Sequence, residues 1–405
     1  MTMHAPRGLR LHIGIYGRRN AGKSSILNAL VRQQVAIVSD TPGTTTDPVE
    51  KTMEFKPLGP VVFIDTAGVD DRGALGKMRI AKTMKAIDRT DLALLVADGW
   101  SEYEAELIEL FRKRKIPFVV IAAKSDLGGH GAVMQKAGEL GCQFAVAASA
   151  RAPSGTAGLR EAIIRAAPQE FLEQATPMEG LVRPDDLVVL VTPIDLEAPK
   201  GRLIVPQVQV LRDLLDREAC AMVVKENGLA AALARLKKKP DLVVTDSQAF
   251  KKVAEIVPAE VPLTSFSIIY ARFKGDLAAM LSGAGSIARL ADGDRVLIAE
   301  ACSHHPVEDD IGRVKLPMWL KEFTKRDLDI KVCAGRDFPE GLASCKLVIH
   351  CGGCVFNRRE LLTRIEKATA AGVPITNYGL AIAFLMGILD RAIKPFRLVT
   401  LPNKT

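Results

Sequence analysis

Residues 11–32 read LHIGIYGRRNAGKSSILNALVR, and this stretch decides the fold of the first part of the chain. Its first six residues are apolar enough for a strand, and a helical pattern follows from Ser24, with Ile26, Leu27, Leu30 and Val31 apolar. Between them Gly17, Gly22, Lys23 and Ser24 satisfy G-x-x-x-x-G-K-[ST] after a strand and at the start of a helix, which is the context a phosphate-binding loop requires. The glycines let backbone N–H groups turn onto phosphate oxygens, and the helix N-terminus adds partial positive charge. Lys23 can reach the β- and γ-phosphates and the Ser24 hydroxyl can bind Mg²⁺, with Ala21 and Ser25 lining the same loop.

Four further segments fall in the order a GTPase needs. Asp65 to Gly68, DTAG, closes a strand; Asp65 would hold Mg²⁺ through water and the Gly68 N–H would sense the γ-phosphate. The threonine-rich loop 40–46 suits a switch whose hydroxyl completes the Mg²⁺ shell, with Thr45 the first choice and Thr44 the second. Asp126, two residues after Lys124, can accept the guanine N1 and N2 protons while Lys124 packs along the base. Ser149 and Ala150 end the next strand, where backbone N–H groups can read the guanine O6. Lys23, Thr45, Asp65 and Gly68 are therefore the expected catalytic set. Each short motif is weak alone, but five in order at strand carboxyl ends argue for one GTP site.

Around this site the chain reads as α/β throughout. Strands expected at 49–55, 61–65, 92–97, 117–122 and 143–148 alternate with helices at 76–88, 102–114 and 155–167, which implies a mostly parallel, doubly wound sheet. A proline-rich break at 168–185 separates a second α/β unit, and a third begins near 266 with strands at 295–300, 328–333, 346–350 and 373–376. The expected layout is a P-loop GTPase domain over 1–170, a unit over 177–265 and a parallel-sheet unit over 266–405. A length of 405 residues fits two or three such cores. No apolar run reaches the roughly 18–20 residues of a membrane span, and residues 1–10 lack a signal-peptide core, so a cytoplasmic location with reduced thiols is expected. The formal charge of +8 comes without a basic stripe interleaved with aromatics, so nucleic acid is not an expected partner.

The GTPase segment, roughly residues 11–167, resembles the translation-factor-related GTPases that include Era and the tRNA-modifying MnmE group. That resemblance implies a potassium ion beside the phosphates at Asn20. It also implies hydrolysis helped by a monovalent cation, because Val69 stands where Ras-like proteins carry a water-orienting glutamine. One departure is Ala123, where the base-recognition box usually starts with Asn; a lost hydrogen bond there costs about 1 kcal/mol of guanine binding.

Four of the seven cysteines, at 142, 220, 333 and 345, sit singly in or beside apolar strands and read as small core residues. The other three cluster with histidines. Cys302 and His304 follow the strand expected at 295–300, and His350, Cys351 and Cys354 follow the one at 346–350. Parallel strands would bring both segments to one crevice. Cys351-Gly-Gly-Cys354 offers two thiolates from one turn, a half-site suited to an iron–sulfur cluster, zinc or a redox pair. Three thiolates suit a 4Fe–4S cube with one open corner, whereas electron-transfer clusters normally have four.

A GTPase followed by C-x-H and a later H-C-x-x-C resembles the FeFe-hydrogenase maturation GTPases, the HydF family, over nearly the whole chain. The resemblance implies that Cys302, Cys351 and Cys354 ligate a 4Fe–4S cluster, with His304 and His350 as fourth ligand, precursor contact or supporting groups. It further implies a scaffold that takes a two-iron precursor made with two radical-SAM maturases and delivers it to apo-FeFe-hydrogenase. GTP would switch partner exchange, and residues 177–265 would form a homodimer. Two rival readings remain at this point, a GTPase of RNA modification or ribosome assembly and a zinc-stabilised regulatory GTPase. The first would need an RNA-binding appendage such as a KH module, and no such module is evident.

Overall fold

The computed structural model describes residues 6–32, 49–66, 82–151, 156–172, 175–193, 203–301, 310–339 and 341–397. Its first sheet has six strands, β1 (Leu11–Tyr16), β2 (Val49–Phe55), β3 (Gly59–Asp65), β4 (Leu92–Ala97), β5 (Phe118–Ala122) and β6 (Ala145–Ala147). Their spatial order is β2-β3-β1-β4-β5-β6, and only β2 runs antiparallel, as the hairpin partner of β3. Strands β1 and β4 are buried from end to end, as expected where a parallel sheet is covered on both faces. Because β1 lies between β3 and β4, the chain order reverses beside it, and the carboxyl ends of these strands are where such sheets bind ligands.

The chain divides into two compact units, Met1–Gln174 and Ala175–Thr405. The second unit holds two all-parallel sheets. One contains β7 (Leu187–Val191), β8 (Cys220–Val224), β9 (Leu242–Thr245) and β10 (Leu263–Ser265), in the order β10-β9-β7-β8. The other contains β11 (Arg295–Ala299), β12 (Asp329–Cys333), β13 (Leu347–His350) and β14 (Ile375–Asn377), in the order β12-β11-β13-β14.

Sequence periodicity missed the helix that joins these sheets, Phe266–Lys274. It starts directly at the end of β10, where Ser265 Oγ accepts the Ile268 N–H at 3.3 Å as an N-cap. The helix packs against Val205–Asp216 on one side and against Arg358–Ala370 and Tyr378–Leu385 on the other. One hydrophobic core consequently includes Val189, Phe250, Phe266, Ile269, Leu297, Val348 and Ile375. Each side chain so buried contributes about 1.5–3 kcal/mol, while a second cluster, with Val296, Ile349, Leu316 and Ile382, covers the last sheet with its own helices. The boundary expected at 265/266 falls between a strand and the helix its last residue caps.

The four cysteines read as core residues divide. Cys345 is buried, Cys142 and Cys333 are half-buried, and Cys220 is exposed, contrary to expectation. Cys220 opens β8, an edge strand with only partial cover, and an apolar run does not distinguish an edge strand from a central one. Among the described residues no helix is long and apolar enough to cross a membrane.

Candidate nucleotide and thiolate sites

The phosphate loop leaves β1 through Gly17, whose φ of +143° and closeness to β4 both exclude a side chain: a Cβ would lie 2.1 Å from the Val96 carbonyl oxygen. Asn20 adopts a left-handed backbone at φ 60°, and helix Lys23–Arg32 follows. Lys23 is buried, and its Nζ donates to the carbonyls of Gly17 (2.9 Å) and Arg18 (2.7 Å), which stretches its ammonium back across the loop. Arg18 Nε in turn donates to the fully buried Glu104 at 2.8 Å, tying the loop to the start of helix Glu102–Lys113.

Magnesium chemistry is legible in the pair beside the loop. Ser24 Oγ donates to Asp65 Oδ2 at 2.7 Å, and Ile15 pairs with Asp65 in the β1–β3 register. Asp65 Oδ1 is buried with no hydrogen-bond partner among the described residues, an acceptor suited to a hydrated cation. A hydroxyl and a carboxylate set together in this way fit Mg²⁺. On the base side, Lys124 has φ 55° and Nζ 2.6 Å from Asp98 Oδ2. Ser149 Oγ donates to Asp126 Oδ1 at 2.7 Å, which holds the Asp126 carboxyl below its usual range. A Cβ on Gly22 would lie 3.8 Å from the Ala123 methyl, so phosphate loop and base box adjoin. Ala150 follows Ser149 at the edge of this box, and Ser24 and Ser25 are exposed where the loop opens.

In the second unit Ala299, Cys333, His350 and Asn377 are the last residues of β11, β12, β13 and β14, and they lie in register across the sheet. Cys351 therefore starts a loop beside the segment that leaves β11 for Cys302. The Ala301 N–H donates to Cys351 Sγ at 3.1 Å, and the Cys351 N–H donates to the Ala299 carbonyl at 2.8 Å. Gly353 turns the loop at φ +62°. An N–H aimed at sulfur is what a ligating thiolate accepts, so this half-site fits an iron–sulfur cluster held by cysteines.

His350 has another task. It is fully buried, its Nδ1–H donates to the Cys351 carbonyl at 2.7 Å, and its Nε2 lone pair accepts from Arg364 Nη1 at 3.0 Å. Burial, with the Arg364 charge adding to it, pushes the imidazole pKa down to about 3, so it is neutral. Both ring nitrogens are spent, and the ring positions the Cys351 backbone. Arg364, also buried, donates to the Gly335 carbonyl at 2.6 Å and lies over the rings of Phe338 and Phe356. Lys274, at the end of the central helix, donates Nζ to the carbonyls of Cys354 (3.1 Å) and Phe356 (2.8 Å). Burial pushes its pKa down to about 8, against a smaller upward pull from Cys354.

Three family profiles match the chain. Residues 12–124 match the profile described as "50S ribosome-binding GTPase", residues 178–275 "Hydrogen maturase F dimerization domain", and residues 278–395 "Hydrogen maturase F tetramerization domain". The chain belongs to the HydF family. Two curated GTPases match smaller shares of the chain. GTPase Der of Rhizobium johnstonii is 37% identical over 161 residues, which is 38% of this chain and 33% of Der. The tRNA modification GTPase MnmE of Synechococcus sp. is 38% identical over 123 residues, 29% of this chain and 26% of MnmE. The chain thus spans between a quarter and a third of the length of these curated relatives. Among solved structures, Aquifex aeolicus Era is 20% identical with a TM-score of 0.32, over 53% of this chain and 92% of Era.

Within this HydF chain, Gly17, Asn20, Ala21, Gly22, Lys23, Ser24 and Asp65 are gathered around one loop, and Lys124, Asp126, Ser149 and Ala150 around the adjoining base box. Thr44, Thr45, Gly68, Cys302 and His304 lie outside the described residues. Among the described residues no group of three or more His, Cys, Asp and Glu is set to hold a metal ion. Cys351 and Cys354 lie on one loop that follows β13. Sequence reasoning missed Lys274 and Arg364. No local signal marks either, because their partners lie far along the chain or, for Arg364, on other elements.

Proposed function

We propose that this chain is a GTP-operated scaffold that holds a 4Fe–4S cluster and carries a two-iron precursor to apo-FeFe-hydrogenase. The observation that supports it most is the pairing of the β11 and β13 ends, with the Ala301 N–H aimed at Cys351 Sγ, in a chain that also carries a GTP site. Cys302, Cys351 and Cys354 are the three thiolates that would hold the cluster, with His304 as the histidine near the open corner. When bound, the cluster supplies an iron with one exchangeable ligand position. His350 orients the Cys351 backbone. The precursor comes from two radical-SAM maturases, and the chain self-associates through its dimerisation and tetramerisation modules, with 177–265 as the dimer unit. Its working location is the cytoplasm. The test purifies the protein without oxygen, reconstitutes it with iron and sulfide, and adds it with precursor to apo-hydrogenase. A brown protein that activates hydrogenase is the expected result. A colourless zinc protein, or equal activation by cluster-free protein, would sink the scaffold reading.

At the other site Lys23, Ser24, Asp65 and Thr45, with Thr44 as second choice, handle GTP and Mg²⁺, and the Gly68 N–H senses the γ-phosphate. Without a water-orienting glutamine at position 69, intrinsic hydrolysis is expected at about 10⁻⁴–10⁻² s⁻¹. Asn20 would hold a potassium ion beside the phosphates. Phosphate release should therefore be faster in potassium than in sodium chloride at matched ionic strength, and equal rates would remove the cation role.

A further inference from the structure

A buried ammonium without a carboxylate calls for an explanation, because taking a charge out of water is costly unless it is paired. Lys274 is 1% exposed. Among the described residues no carboxylate pairs with it: its partners are the Cys354 and Phe356 carbonyls and, 5.3 Å away, the ring of Tyr270. Two of its three N–H donors are used by these carbonyls. Neutral donors would satisfy the same carbonyls at less desolvation cost, as Asn377 Nδ2 does for the Ser267 carbonyl at 2.8 Å. What a neutral donor cannot supply is positive charge directly behind the Cys351–Cys354 loop.

We propose that Lys274 is the charge-compensating residue of the thiolate site, holding the Cys354 end of the loop and balancing the negative charge of the cluster bound there. This inference rests on the cluster reading above. A cube held by three thiolates is anionic, and its negative charge grows by one on reduction. A fixed cation beside it favours the reduced form and therefore raises the reduction potential. The surroundings suit such a role. The Tyr270 ring lies beside the ammonium, and the helix Phe266–Lys274 belongs to the core shared by both sheets.

The experiment compares wild type, Lys274→Gln and Lys274→Arg after anaerobic reconstitution with ferrous iron and sulfide. It reads iron and sulfide per chain, the midpoint potential by EPR-monitored titration, and urea unfolding of the metal-free chains. Lys274→Gln keeps a hydrogen-bond donor and drops the charge; its reduction equilibrium should move about tenfold toward the oxidised form, ~59 mV for one electron. Lys274→Arg should stay close to wild type. If Lys274→Gln cannot be loaded at all, retention of iron by Lys274→Arg supports the charge role, and equal loss in both overturns it. An unchanged potential in a fully loaded Lys274→Gln protein overturns it as well. Wild type that takes up no iron and sulfide would instead bring down the cluster reading, and this inference with it.

Discussion

Lys23→Met is expected to lower GTP turnover by about 10²–10³-fold, the loss that follows removal of one preorganised donor from a developing charge. The ammonium is buried and reaches back over two carbonyls of its own loop, so deleting it removes a cation held in place beside the phosphate loop. Methionine keeps the aliphatic stem, and the helix Lys23–Arg32 should remain folded. The measurement is phosphate release under saturating GTP, alongside fluorescent-nucleotide binding and iron analysis of the same preparation. Iron content should not change, because the thiolate loop belongs to the other compact unit. Near-normal turnover would remove Lys23 from the catalytic set, and parallel loss of iron would contradict the independence of the two sites.

The second large effect concerns the thiolates. Cys351→Ala and Cys354→Ala should each lose most bound iron and sulfide after reconstitution, since two remaining thiolates cannot replace a charged ligand of the cluster. Cys302→Ala should do the same. His350→Gln should differ in kind. The Gln carbonyl can still accept from Arg364, so iron should largely remain, whereas His350→Ala removes one acceptor of the buried guanidinium, a hydrogen bond worth about 1 kcal/mol in urea unfolding. Iron and sulfide analysis, read beside the unfolding midpoint, separates these cases. Full loading in any of the cysteine variants would remove that residue from the ligand set. Complete iron loss in a stably folded His350→Gln protein would restore His350 as a ligand.

Much of this was legible in the residues, for identifiable reasons. The G-x-x-x-x-G-K-S loop is read from short-range spacing, and the strands around it are nearly continuous apolar runs because both faces of the sheet are covered. The strand ends that carry Cys351 and the approach to Cys302 were likewise readable. Helix Phe266–Lys274 was not, because FSIIYARFK is buried on several sides and presents no clean polar face to mark its period. Lys274 itself is undistinguished in sequence, since its carbonyl partners lie about eighty residues further along the chain. His350 shows the converse limit. The family resemblance left it as fourth ligand, precursor contact or supporting group, and choosing among these depends on what packs around a strand's last side chain, here Arg364 and Phe356.

The continuous core of the second unit bears on how such a protein can change over generations. The matched dimerization and tetramerization segments meet at residues 275–278, yet the hydrophobic interior passes straight through that seam. A crossover there would join two halves never selected to fill each other's voids, and the hybrid would inherit a hollow interior. The first unit, up to about residue 174, has a hydrophobic core of its own among the described residues. Inheritance should accordingly treat the last two segments as a single cassette.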